Sequence, residues 1–158
     1  MNSKSYIVPV CAAFLTAVLC DAPRAYASTP TDACSLVTAA QVSAAMGFAV
    51  GSGKALNPHD CQFVEPGAGG KTVLVEILGP TGRLTPVDRF NTVKMPVGRV
   101  VKTPVSGLGD DAVYVETLGV ALYVRKGDFV FQIRISGLPL AECKEAERLL
   151  AQNVLANL

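Results

Sequence analysis

Residues 129–136 read Phe129-Val130-Phe131-Gln132-Ile133-Arg134-Ile135-Ser136, and the reading of this stretch decides the fold. In an extended chain successive side chains point to opposite sides. Phe129, Phe131, Ile133 and Ile135 therefore share one face, and Val130, Gln132, Arg134 and Ser136 share the other. The pattern predicts a strand with one dry face and one wetter face. Two more β-rich runs precede it, Ala112 to Glu116 and Val120 to Arg125, set apart by tight turns at Gly119 and Gly127. Runs spaced in this way predict a three-stranded antiparallel meander. A long helix is expected next, from about Leu140 to Asn157, with Ala146, Leu150 and Val154 as the stripe it turns to the sheet.

Moving toward the N-terminus, Lys71 to Leu78 reads as a strand bracketed by Gly70 and Gly79, and Cys61 to Val64 as a shorter one. Gly51 to Asp60 is a loop or weak edge strand, and Arg99 to Pro104 is a possible sixth strand. Thr38-Ala39-Ala40-Gln41 is a capping box flanked by Val37 and Val42, which predicts a short helix closed by Gly47. Thr85-Pro86-Val87-Asp88 starts a second helix, with Phe90 and Val93 as its inward side chains and Pro96 and Gly98 as its stop. The expected fold class is α+β. An antiparallel sheet of about five strands is covered by an N-terminal helix, a short middle helix and a long C-terminal helix.

The start of the chain has a different character. Lys4 precedes an apolar run from Tyr6 to Cys20, and a short polar stretch then ends in Ala25-Tyr26-Ala27. This is the layout of an export signal cleaved before Ser28, and the apolar run is too short for a stable membrane span. Leu19 stands where a lipidation site ahead of Cys20 would need a small residue. The expected organisation is a signal over 1–27 and one domain over 28–158, with a mobile lead at 28–33, placed in the periplasm or outside the cell. The whole chain has 158 residues and a formal net charge of +1. Losing Lys4, Asp21 and Arg24 leaves acidic and basic residues in equal number, with no basic run and no Trp. Nucleic acid and anionic membranes need clustered Lys and Arg, so neither is expected as a partner.

Cleavage would leave Cys34, Cys61 and Cys143, which in an exported chain reads as one disulfide and one spare thiol. Three pairings exist. Cys34 and Cys61 lie at element ends, where geometry is forgiving. Cys143 falls in phase with the apolar stripe of the last helix, where a buried thiol acts as a small hydrophobe. Position therefore favours Cys34–Cys61.

A resemblance supports the outline. Ala33-Cys34-Ser35-Leu36-Val37-Thr38 runs into Val42 and Met46-Gly47. Cys61-Gln62-Phe63, Gly107-Leu108-Gly109-Asp110-Asp111-Ala112 and Leu122-Tyr123-Val124-Arg125-Lys126-Gly127-Asp128 follow. Together these resemble a broad family of small exported bacterial proteins, often lipoproteins, of unassigned function. The resemblance implies a Cys34–Cys61 bridge and a sheet-plus-helices domain, and it implies no activity.

Residues able to carry chemistry are few. His59-Asp60-Cys61 gathers reactive side-chain types, and residues two apart on an extended segment share a face. A bridged Cys61 cannot act as a nucleophile, however, and an Asp beside a loop His is ordinary turn chemistry. Asp110-Asp111 after two glycines lacks the alternate acid spacing of a calcium loop. Gly51-Ser52-Gly53-Lys54 lacks the strand–loop–helix setting of a phosphate loop. No sequence feature brings Asp32 and Asp60, or Glu65 and Glu76, to working distance as an acid–base pair. The expectation is a non-catalytic domain without cofactor or metal, binding an unidentified envelope protein or small ligand. Asp110, Asp111 and His59 remain as loop residues that could touch such a ligand. The alternatives are an enzyme with a site assembled from scattered residues, hydrolase-like for example, and a tethered structural envelope protein.

Overall fold

The computed structural model describes residues 30–67 and 69–158; the expected export signal lies outside them. A single 3-10 turn at Ala33–Ser35 leads into helix α1 (Ala39–Met46). Strands β1 (Lys54–Asn57), β2 (Asp60–Val64) and β3 (Thr72–Ile77) come next, then helix α2 (Pro86–Lys94). Strands β4 (Val101–Pro104), β5 (Asp111–Glu116), β6 (Val120–Lys126) and β7 (Phe129–Ser136) precede helix α3 (Leu140–Ala156).

The strands form one antiparallel sheet in the order β1-β2-β3-β7-β6-β5-β4. Seven strands, rather than about five, make up the sheet. The two additions, β1 and β4, are its edges: each is four residues long and neither buries a side chain. Without a buried face they lack the alternation that marks β7, and only their ladder partners define them.

The helix ends follow local chemistry. Thr38 Oγ1 accepts from Gln41 N at 3.2 Å while Gln41 Oε1 accepts from Thr38 N at 2.8 Å, completing the capping box. Val37 and Val42 are both buried beside it. Gly47 ends α1 with φ +73°, a left-handed conformation natural to glycine. Thr85 and Asp88 form the same reciprocal pair at the start of α2, with Pro86 in its first turn.

Cross-strand register arranges the core in rows. On the inner face Cys61, Val75, Ile133, Leu122 and Tyr114 are successive neighbours across five strands, and Phe63, Val73, Ile135 and Val120 form the row beside them. Helix α3 lays Cys143, Ala146, Leu150, Ala151 and Val154 on this face, and α1 adds Val42 and Met46. The bridge joins Cys34 to Cys61 and pins the turn before α1 to β2, while Cys143 is free and buried.

The outer face is covered by α2. The chain must travel from β3, near the middle of the sheet, to β4 at its far edge, and α2 is laid over β7 and β6 on that path. Its Phe90 is fully buried against Leu78, Val113 and Val130. The wetter face of β7 is therefore dry at its start, where Val130 and Gln132 are buried, and wet at Arg134 and Ser136. No helix among the described residues is long and apolar enough to cross a membrane.

Candidate functional site

One outer-face row reads Asp60, Glu76, Gln132, Tyr123 and Val113 across β2, β3, β7, β6 and β5. The adjacent row reads Gln62, Leu74, Arg134, Ala121 and Val115. Helix α2 rides above the first row, standing on Phe90, and leaves a cavity of about 500 Å³ beside it. Glu76, Tyr123, Gln132 and Arg134 line it from the sheet, and Arg89, Thr92 and Val93 from the helix. Leu78, Thr81 and Leu84, at and after the end of β3, complete the wall. A smaller hollow of about 280 Å³ adjoins it on the β5–β6 hairpin side and shares Tyr123 and Arg134 with it.

The polar groups here differ in how they are held. Arg89 donates from Nη1 to the Gly79 carbonyl at 2.7 Å and places Nη2 3.8 Å from Glu76 Oε1. Burial pushes the Glu76 carboxyl above its ordinary value, and Asp60 directly across the ladder adds to the rise, against the pull of Arg89 and Arg134. The Tyr123 phenol is also raised, first by burial, so it is a hydrogen-bond donor at neutral pH. Gln132 is 4 % exposed and lines the cavity, and its amide is not among the buried side-chain groups left without a partner, which are Glu65 Oε2 and Glu147 Oε2. Arg134 is exposed and belongs to none of the ion pairs among the described residues.

The loop residues singled out in the sequence lie elsewhere. Asp110 Oδ2 accepts from Gly127 N at 2.7 Å, and Arg125 and Lys126 each stand 3.5 Å from its carboxylate. The Gly127 hydrogen bond is the main force holding the Asp110 carboxyl below its usual range. Asp110 thus clamps the β6–β7 hairpin. Gly109 makes this approach possible: it has φ +57°, and a Cβ there would lie 2.4 Å from the Arg125 carbonyl oxygen. Asp111 pairs with Lys94 of α2 at 2.5 Å. His59 sits in the β1–β2 turn, with three strands between β2 and the β5 that carries Asp111. At ordinary strand spacing this separates them by roughly 19 Å. Asp110 and Asp111 are neighbours with built-in cationic partners, and His59 does not join them. Among the described residues no group of three His, Cys, Asp or Glu could hold a metal ion.

A second buried polar cluster lies under α3. Glu147 is fully buried, accepts from Ile135 N at 3.0 Å through Oε1 and leaves Oε2 without a partner. Burial raises its carboxyl to about 8, against the lowering effect of the Ile135 N–H. Cys143, one helical turn earlier, points its thiol at the carbonyls of Ile135 (3.6 Å) and Leu138 (3.5 Å). Tyr114 donates to the Lys144 carbonyl, and its phenol is pushed up to about 12, first by burial and then by Glu147. These groups tie α3 to the sheet, and a hollow of about 210 Å³ beside the β5–β6 hairpin reaches Cys143.

Comparison with known proteins adds no relative: no family model, no curated protein and no solved structure matches this chain.

Proposed function

We propose that this is an exported, non-catalytic domain that binds a small ligand in the cavity beside α2. The observation that carries the reading is a cavity of about 500 Å³ whose wall brings Arg89, Tyr123, Gln132 and Arg134 together beside Leu78, Leu84 and Val93. Ligand sites have this size and this makeup, mostly apolar walls with a few convergent polar groups. Gln132, Tyr123 and Arg134 supply hydrogen-bonding groups from adjacent strands, and Thr81 and Thr92 add hydroxyls to the wall. A titration of the 15N-labelled domain with pooled small fragments tests the site. Shifts are expected to gather on the amides of residues 76, 78, 93, 123 and 132. Shifts confined to another face, or none at all, would remove the reading.

Export is supported by the apolar leader with Ala25-Tyr26-Ala27 at its end, by the Cys34–Cys61 bridge, and by the resemblance to small exported bacterial proteins. The protein recovered from the envelope or medium is expected to begin at Ser28 on N-terminal sequencing. A lipidated chain beginning at Cys20, or one retaining the leader, would count against it.

A further inference from the structure

We propose that the ligand is an amphipathic monocarboxylate whose head group meets Arg134 and whose apolar body lies along Leu78, Leu84 and Val93. The inference rests on the small-ligand reading above and adds the ligand's charge and shape. It begins from the charged groups of the cavity wall, which are Glu76, Arg89 and Arg134. Arg89 is already engaged: its guanidinium is shared between the Gly79 carbonyl and Glu76. Arg134 is not. Its cross-strand neighbours on the same face are Leu74 and Ala121, neither of which can partner a guanidinium.

The cavity wall therefore sets two guanidinium groups against one carboxylate, and one negative charge on a ligand balances the excess. A guanidinium and a carboxylate match in shape, as two parallel N–H···O contacts. A dianion would bring its second charge toward Glu76 unopposed, and a cation would face both arginines. Tyr123 contacts Arg134 and keeps its proton, and Gln132 is its cross-strand neighbour, so two further donors stand near the same spot. Arg134 lies where the two hollows meet, which leaves the larger one for the rest of the ligand. That space is walled by Leu78 and Val93 and by Leu84, an apolar side chain 47 % exposed at its mouth. An apolar chain laid there removes this surface from water.

Isothermal titration of the oxidised mature protein with decanoate, decanol, decylamine and inorganic phosphate tests the assignment. Decanoate is expected to bind at one site, decanol at least about tenfold more weakly, and decylamine and phosphate not at all. Arg134→Gln is expected to lower decanoate affinity on the order of tenfold or more and to leave decanol binding unchanged. Arg134 is exposed, so the unfolding midpoint of the variant is expected to match that of the parent. Decanol or decylamine binding as tightly as decanoate, or an Arg134→Gln protein with full decanoate affinity, overturns the carboxylate assignment but leaves a small-molecule cavity. Phosphate binding, or the absence of decanoate binding, also overturns it. The fragment titration then decides separately whether the cavity binds anything.

Discussion

Replacing Cys34 and Cys61 with Ala should destabilise the domain by about 3.5 kcal/mol. The bridge spans 27 residues of sequence, and closing a loop of that length removes conformational freedom from the unfolded chain. The native contacts it fastens point the same way. Cys61 lies in the central inner-face row between β1 and β3, and Cys34 belongs to the turn whose Ala33 N donates to the Pro58 carbonyl at 3.0 Å. Without the bridge that turn is held by the Ala33–Pro58 hydrogen bond and by the burial of Ala33, Leu36 and Val37, and α1 follows directly from it. For a domain of this size the loss corresponds to a fall in Tm on the order of 10 °C. Thermal unfolding of the oxidised protein, the same protein in reductant and the double-Ala variant would measure it. Three coincident curves would show that the bridge carries no stability and that the inner face holds α1 unaided.

The second large effect comes from Glu147. A carboxyl raised from its ordinary value to about 8 binds its proton more tightly in the folded state than in the unfolded one. Between those two values the folded state holds more protons, so stability declines as pH rises across the window. It is fully present below about pH 4.5 and lost as pH passes about 8. The swing is on the order of 4 kcal/mol. Glu147→Gln keeps an oxygen for the Ile135 N–H and removes the titration. Urea unfolding at pH 5 and at pH 8.5 is expected to show parent and variant of similar stability in acid. At the higher pH the variant should be more stable by most of that swing. Parallel pH dependences for the two proteins would show that Glu147 is charged and solvated at neutral pH, against the burial described here.

Much of this architecture was readable from local chemistry. The capping box at Thr38, the helix start at Thr85-Pro86, the stop at Gly47, the β5–β6–β7 meander and the apolar phase of Cys143 are short-range features, and the structure holds each of them. The edges were readable only as a loop or weak edge strand at Gly51 to Asp60 and an added strand at Arg99 to Pro104, because β1 and β4 are strands by virtue of the neighbours they pair with. The cavity was hidden for a related reason. Gln132 and Arg134 were visible as the polar side of the best strand, and Phe90 and Val93 as the inner side of α2. Only the crossing from β3 to β4 brings those two sides together. Arg89 and Tyr123 carried no signal of their own, being ordinary residues on a helix and a strand. Glu147 did carry one: it lies four residues after Cys143 and three before Leu150, inside the buried stripe. A carboxylate in that phase must be protonated, paired or functional.

The two faces of the sheet are held by unequal means. On one side a covalent bridge, two helices and the long inner rows make a single cooperative body. On the other, α2 rests on Phe90, the Asp111–Lys94 pair and the contacts of Arg89. Lifting α2 would expose a few side chains, whereas lifting α3 would expose the core. The free-energy gap between a closed and an open outer face is thus set by nine helical residues rather than by the whole fold. The proposed ligand, bridging α2 and β7, would add to that gap.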